Sequence, residues 1–385
     1  MDQKNIGIIT FHRSYNCGSM LQAYALQTVL KKCFSTDSEI IDFSNAAQKR
    51  MYSILYKPHN VKELFRNILN LAFYRVIAAH NKDYEDFLNE RLKCTKNRYS
   101  TLSQLDENKM DFDLYITGSD QVWNTRAKDF DDAYFLPFVN SKSKIAYAVS
   151  LGATNPNTSD NKGKYSSFIQ SFDGVSVRER NAKKWIEELS GRNVEICLDP
   201  TLLVERNEWE VLAADKEVED KYLFWYAMTY KKDVMEKVLA IGRKYNLPIY
   251  VLDAKEWSRR GLFFHGIKLA PMGGPASYLS MVKNADMVIT SSFHGTVFCN
   301  VFQKNFWYLN IHDHNTQDDR ALFLLQQLGL TDRYVNKKEI MERDLLEKPN
   351  YTKHNVLKKE IESSIKYLER YVSVKEDGSE LSSII

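Results

Sequence analysis

One histidine stands where a catalytic side chain would be useful. Met287 to Phe302 reads MVITSSFHGTVFCNVF. A short apolar strand, Met287–Thr290, runs into Ser291-Ser292-Phe293-His294-Gly295-Thr296, and helix Gly295–Gln303 follows. Imidazole titrates near neutral pH, so His294 is the candidate general acid or base. The free N–H groups of a helix N-terminus favour an anion. Ser291, Ser292, Gly295 and Thr296 are therefore the expected substrate contacts. A histidine that merely caps a turn is the plainer alternative.

Three further motifs share this geometry. Phe11 to Gln27 (FHRSYNCGSMLQAYALQ) joins a first strand to a first helix. Asn16, Gly18 and Ser19 are its binding candidates: Gly18 admits a ligand close to backbone, and Ser19 reads as the N-cap. This is neither GxGxxG nor a Walker loop. In Asp113 to Asn124 (DLYITGSDQVWN), Gly118, Ser119 and Asp120 offer turn N–H groups and a carboxylate, and Trp123 a face for a sugar ring. In Gly174 to Asn181 (GVSVRERN), Arg178 follows a strand and is expected in the cleft, where guanidinium binds carboxylate or phosphate bidentately. A salt bridge to Glu179 or Asp199 competes with that reading. Ile311 to Asp319 (IHDHNTQDD) has no ordered ligand spacing and reads as a solvated loop rather than a metal site.

Positioning these residues takes an alternating series of strands and helices. The strands are expected at 5–11, 39–43, 113–117, 144–149, 174–177 and 194–198, then at 222–228, 249–252, 287–290 and 306–309. That alternation predicts an α/β fold of two Rossmann-like domains around a central cleft, with ligands at the carboxyl ends of the strands. The first domain is expected over 1–205 and the second over 206–345. A C-terminal helix, 353–372, and a tail occupy 346–385 and are expected to cross back onto the first domain. The 385 residues are 44% hydrophobic and 27% charged, with only 15 Gly and 8 Pro, ordinary for a globular chain. A net charge of +3 gives no global clamp on nucleic acid. Five scattered cysteines, without a CxxC pair, predict neither disulfides nor zinc. A cytoplasmic protein is expected, with no signal peptide and no spanning helix.

The segment at about 47–97 breaks the alternation and reads as a basic helical insertion. Seven Lys/Arg fall between Lys49 and Lys82 against one acid, Glu63. Val61, Leu64, Phe65, Ile68, Leu69, Ala72, Val76 and Ile77 follow the helical period. Two readings stay open. In one, the apolar stripe packs on the first domain and the basic face is solvated. In the other, residues 49–82 contact an anionic membrane surface from the cytoplasmic side.

Taken in order, NCGSMLQAYALQ, YITGSDQVWN, KIAYAVSLGA, VSVRERN, LDPTLL and ITSSFHGTVFCNVFQKNFW resemble the polysaccharide pyruvyl transferase family. The resemblance runs from the first strand to Arg333. It implies an architecture similar to glycosyltransferase-B enzymes. It also implies transfer of a pyruvyl group from phosphoenolpyruvate onto a sugar of a cell-surface polysaccharide or its lipid-linked precursor, as a ketal. The resemblance gives His294 the acid/base role, puts cleft cations on the donor and requires no cofactor. Some members carry Arg before Phe-His where this chain has Ser292. The donor's charge then falls to Arg178, with Arg320 or Arg13. A nucleotide-sugar-dependent glycosyltransferase and a non-catalytic family member in polysaccharide assembly remain the alternatives. Trp123, Trp225 and Trp307 are candidate stacking surfaces for the acceptor.

Overall fold

A computed structural model describes residues 4–311, 318–351 and 357–373. It contains two all-parallel sheets. The first has seven strands: β1 Ile6–Ile9, β2 Ser38–Phe43, β3 Cys94–Tyr99, β4 Leu114–Thr117, β5 Ser143–Val149, β6 Gly174–Val177 and β7 Glu195–Ile196. Their spatial order is β3-β2-β1-β4-β5-β6-β7. The second sheet has β8 Leu223–Tyr226, β9 Ile249–Val251, β10 Lys268–Leu269, β11 Met287–Thr290, β12 Phe306–Asn310 and β13 Tyr334–Asn336. Its order is β10-β9-β8-β11-β12-β13.

The central strands are apolar along their whole length because helices cover both faces. IGII, LYIT and MVIT are buried at every position. In each sheet the order reverses beside the first strand, and the helices that follow β1 and β11 begin at the carboxyl ends of those strands. That is where a parallel sheet presents its ligand crevice.

The first helix, Cys17–Phe34, starts two residues earlier than the expected cap. Asn16 caps it, its side chain accepting from the N–H groups of Gly18 and Ser19, so Ser19 is free for other work. The histidine helix, Phe293–Val301, is capped by Ser292, whose hydroxyl accepts from Gly295 N–H. Caps of this kind stabilise a helix by ~1 kcal/mol.

Residues 94–99, read from sequence as the end of the insertion, form edge strand β3. Its CTKNRY sequence exposes Lys96, Asn97 and Arg98. Charge on an edge strand blocks further pairing and also hides the strand's apolar alternation from a sequence reading. The C-terminal helix, Lys358–Val372, lies against the first sheet. Tyr367 OH donates to Ala146 O, Leu198 N–H donates to Ser364 Oγ, and Arg370 pairs with Glu195.

The insertion differs from the expectation that its apolar stripe packs on the first domain. Helix Val61–Ala72 turns its polar side inward. Asn70 is fully buried, donating to Ile54 O and accepting from Arg259 Nε, and Asn67 donates to Tyr56 O. Val61, Leu64, Phe65, Ile68 and Leu71 are exposed. The next helix, Tyr74–Arg91, buries Ile77, Tyr84, Phe87 and Leu88. It touches the second half of the chain as well as the first, with Gly273 N–H donating to Asp83.

Candidate functional site

A cavity of about 270 Å³ opens between the two sheets. The walls bring together seven of the residues singled out from sequence: Asn16, Ser19, Asp120, Ser291, Ser292, His294 and Arg320. Phe11, Tyr52, Gln121, Asn124, Asp129, Met228, Tyr308 and Asp318 complete much of the lining. Gly18, Gly118, Ser119, Gly295 and Thr296 stand behind this wall and shape it.

Two glycines make the close approaches. A Cβ on Gly18 would lie 2.1 Å from His294 Nδ1, so the imidazole occupies the space that a side chain would need. Helix Cys17–Phe34 of the first half and the histidine of the second are thus pressed together. Gly118 has φ +108°, and a Cβ there would lie 2.3 Å from Tyr147 O. This left-handed turn carries the chain off β4 and brings Asp120 to the cavity.

His294 sits in the first turn of its helix and is 6% exposed. Tyr278 OH donates to its carbonyl at 3.1 Å. Its Nε2 is shut off from solvent, makes no hydrogen bond, and lies 3.5 Å from Asp199 Oδ2. An anionic neighbour there favours the tautomer protonated on Nε2. The lone pair then resides on Nδ1, the nitrogen beside Gly18.

Asp199 is the hub of a buried charge network. Oδ2 accepts from Arg178 Nη1 and from Ser119 Oγ, and Oδ1 accepts from Thr201 N–H and Oγ1. Burial alone would raise this carboxyl, but Arg178 and His294 outweigh it and hold Asp199 far below the usual carboxylate range. Asp120 is likewise held low by Arg178 and His294 against burial. It accepts from Ser19 Oγ at 2.5 Å, and its backbone has φ +71°.

Arg178 does not face the cleft as expected. Its guanidinium is buried, bonded to Asp199, Ser119 and Asp120, and stacked 4.5 Å over the Phe293 ring. Burial this deep makes the carboxylate pairing obligatory, so both terminal nitrogens are already engaged, while Nε makes no hydrogen bond. Arg13 is also committed, bidentate to Asp42 and away from this cavity. Of the three candidate anion holders, Arg320 alone lines it. Arg320 Nε donates to Asp318 Oδ1 at 2.8 Å and Nη2 to Oδ2 at 2.6 Å. Burial pulls Asp318 up, yet Arg320 holds it down at about 2. Asp318 therefore belongs to the cavity wall rather than to a solvated loop, while His312, Asp313 and His314 lie outside the described residues.

The three tryptophans are core. Trp123 stacks on Phe135 at 4.9 Å, Trp225 meets Tyr230 edge-on, and Trp307 lies under Arg333; each is 1% exposed. The aromatic surface near the cavity comes from tyrosines instead. A second chamber of about 290 Å³ shares Asn16, Met51, Tyr52 and Met228 with the first. It adds Tyr15, Tyr84, Tyr226 and Tyr230, with Lys255, Glu256 and Arg259 at its edge. Burial draws the Lys255 ammonium down to about 8, and it donates to the carbonyls of Met51 and Ser53. Among the described residues no group of His, Cys, Asp and Glu is arranged to hold a metal ion.

Sequence reasoning assigned no site role to Asp199 or Glu179. Both lie in strings already marked, LDPTLL and VSVRERN, directly after strands of the first sheet. Glu179 is fully buried: Oε1 accepts from Leu151 N–H, while Oε2 has no hydrogen bond. Burial pushes its carboxyl up to about 7, against the pull of Arg178 and Arg320.

Known structures share this arrangement of sheets. UDP-GlcNAc 2-epimerase from Methanocaldococcus jannaschii, in complex with UDP-GlcNAc and UDP, aligns with a TM-score of 0.54 at 13% identity. The alignment covers 95% of this chain and 99% of that one. S. aureus MnaA in its UDP co-structure gives 0.55 at 12% identity, over 97% and 99% of the two chains. Identities this low establish a shared glycosyltransferase-B-like fold and nothing about ligands. No curated protein matches the sequence. The family model for polysaccharide pyruvyl transferase matches residues 16–313, from the Asn16 cap through the histidine helix and beyond β12. That span holds three of the four sequence motifs whole and the first from Asn16 onward, and it covers most of the sequence: the chain belongs to the polysaccharide pyruvyl transferase family.

Proposed function

We propose that this chain transfers a pyruvyl group from phosphoenolpyruvate to two hydroxyls of a sugar, one carried by a cell-surface polysaccharide or its lipid-linked precursor. The supporting observation is His294. It is a buried imidazole on the wall of a cleft between two sheets, with one nitrogen facing a carboxylate and the other facing a helix N-terminus. The reaction balances without a redox partner. One sugar hydroxyl adds to the carbon that bears phosphate, and the neighbouring methylene carbon gains a proton to become methyl. The second hydroxyl adds to the same carbon, and the C–O bond to phosphate breaks. Of the two hydroxyl protons, one ends on the methyl group and one leaves with phosphate. Nδ1 of His294 accepts the hydroxyl proton, and the Asp199 carboxylate stabilises the imidazolium formed.

In this reading the donor's phosphate and carboxylate meet Arg320 and the N–H groups of the two facing helices. The acceptor takes the tyrosine-lined chamber, where flat faces suit sugar rings. Phosphate release should require both phosphoenolpyruvate and a sugar acceptor, and His294→Ala should abolish it. Full turnover by His294→Ala would sink the role given to that residue. One observation favours a second reading: Asp120, Asp129 and Asp318 outnumber the cations of the cavity wall. Carboxylates suit sugar hydroxyls, so a nucleotide-sugar donor is the rival. Calorimetry with phosphoenolpyruvate against nucleotide sugars separates the two. Heat with phosphoenolpyruvate alone supports the first reading, and heat with a nucleotide sugar alone supports the rival.

A further inference from the structure

We propose that helix Val61–Ala72 is a docking surface for an anionic lipid bilayer. Its apolar side has no partner among the described residues. Val61 is 82% exposed, Phe65 59% and Leu71 62%, with Leu64 and Ile68 beside them. Ordinary surface helices turn such a stripe to the core. Here the other side is fastened instead. Asn67 and Asn70 bond inward to backbone carbonyls, and Glu63 receives Arg50 Nη2 and His59 N–H. The inverted orientation is therefore held by specific hydrogen bonds and is not a loose end.

Charge selects the occupant. The single acid of the stretch is already bound by Arg50. Lys57, Lys62, Arg66 and Arg75 are exposed and form no salt bridge among the described residues. An exposed apolar stripe bordered by uncompensated cations fits an interfacial helix on anionic headgroups. A second copy of the chain fits less well, since a twofold contact would set these cations against one another. The apolar surface also continues toward the second sheet. Phe73 packs on Phe263 at 5.1 Å, and Phe263 touches Phe264 at 4.1 Å; Phe264 is 81% exposed.

This surface is independent of the donor in the cleft. Its test is co-sedimentation of the full chain with vesicles of equimolar phosphatidylglycerol and phosphatidylcholine, against vesicles of phosphatidylcholine alone. Binding is expected only to the anionic vesicles, weakening as salt rises. Phe65→Ser combined with Ile68→Ser should weaken it by at least ~10-fold, because both side chains leave water on docking. Both residues are exposed, so thermal melts should be unchanged. Release of phosphate with a soluble sugar acceptor should also be unchanged, which separates failure here from failure of the proposed chemistry. No binding to anionic vesicles, or equal binding by the double variant, overturns the proposal. A concentration-dependent dimer that the double variant abolishes also overturns it, in favour of a second copy.

Discussion

Asp199 joins the two halves of the cleft: its Oδ2 takes the Arg178 guanidinium from the first sheet and lies 3.5 Å from His294 Nε2 of the second. Asp199→Asn keeps the shape and removes the charge. Arg178 is then left buried with a weaker set of partners. Stability should fall by about 3 kcal/mol, the usual result of deleting one member of a buried ion pair. Urea denaturation measures this. Turnover should fall by about 100-fold or more, because the histidine tautomer is no longer fixed. An unchanged midpoint would mean that Asp120 alone satisfies Arg178.

Gly18→Ala tests the contact between the first helix and the imidazole. The added methyl would fall 2.1 Å from Nδ1. Either the ring or the helix must move, and kcat should drop by ~10²-fold or more. Combined with His294→Ala, the same substitution should cost less stability than it does in the parent, since the ring is gone and only the Cβ at position 294, 2.8 Å away, is left in its path. A double variant as unstable as the sum of the two singles contradicts the contact.

Glu179 gives a pH signature. Its folded carboxyl, near 7, lies above the unfolded value of about 4.3. The native state holds this proton more tightly, so the favourable contribution is complete below pH ~4.3. It is lost as pH rises through 7, where a charge must be buried. Glu179→Gln escapes that loss. Its melting temperature relative to the parent should climb between pH 5 and pH 8, followed by calorimetry in matched buffers. A constant difference across that range would show that Glu179 keeps an ordinary carboxyl.

Arg320 is the cation left on the cavity wall. Arg320→Gln should raise the donor KM by about tenfold or more, the scale of one charge-assisted hydrogen bond, with a smaller effect on kcat. Steady-state phosphate release measures both. A KM that stays put would move the donor's anionic end elsewhere.

Much of this was legible in the sequence. The order of apolar runs gives the central strands of both parallel sheets and places the four motifs at strand carboxyl ends, but it misses the edge strands β3, β10 and β13, which are short or polar. His294, Asn16, Ser19, Asp120 and Arg320 come together because strand-to-helix turns gather at one crevice. Arg178 followed the same rule and still missed the cavity. Position after a strand gives direction, and the depth of Asp199 beneath it decides whether the guanidinium reaches a ligand. The tryptophans failed for a related reason: residue type shows capacity to stack, and burial takes that capacity for the core. In the insertion, the reading that packed the apolar stripe on the first domain failed. Helical periodicity finds an apolar stripe, but it does not say which side is fastened, and Asn67 and Asn70 settled that through backbone carbonyls.

The insertion also ties the two halves together. Lys255 reaches from the second half to the carbonyls of Met51 and Ser53, Arg259 reaches Asn70, and Gly273 reaches Asp83. Widening the cleft must stretch or break those four hydrogen bonds. The insertion therefore works as a latch across the mouth of the enzyme, and a force that lifts or tilts its outer helix is transmitted to the gap in which His294 lies.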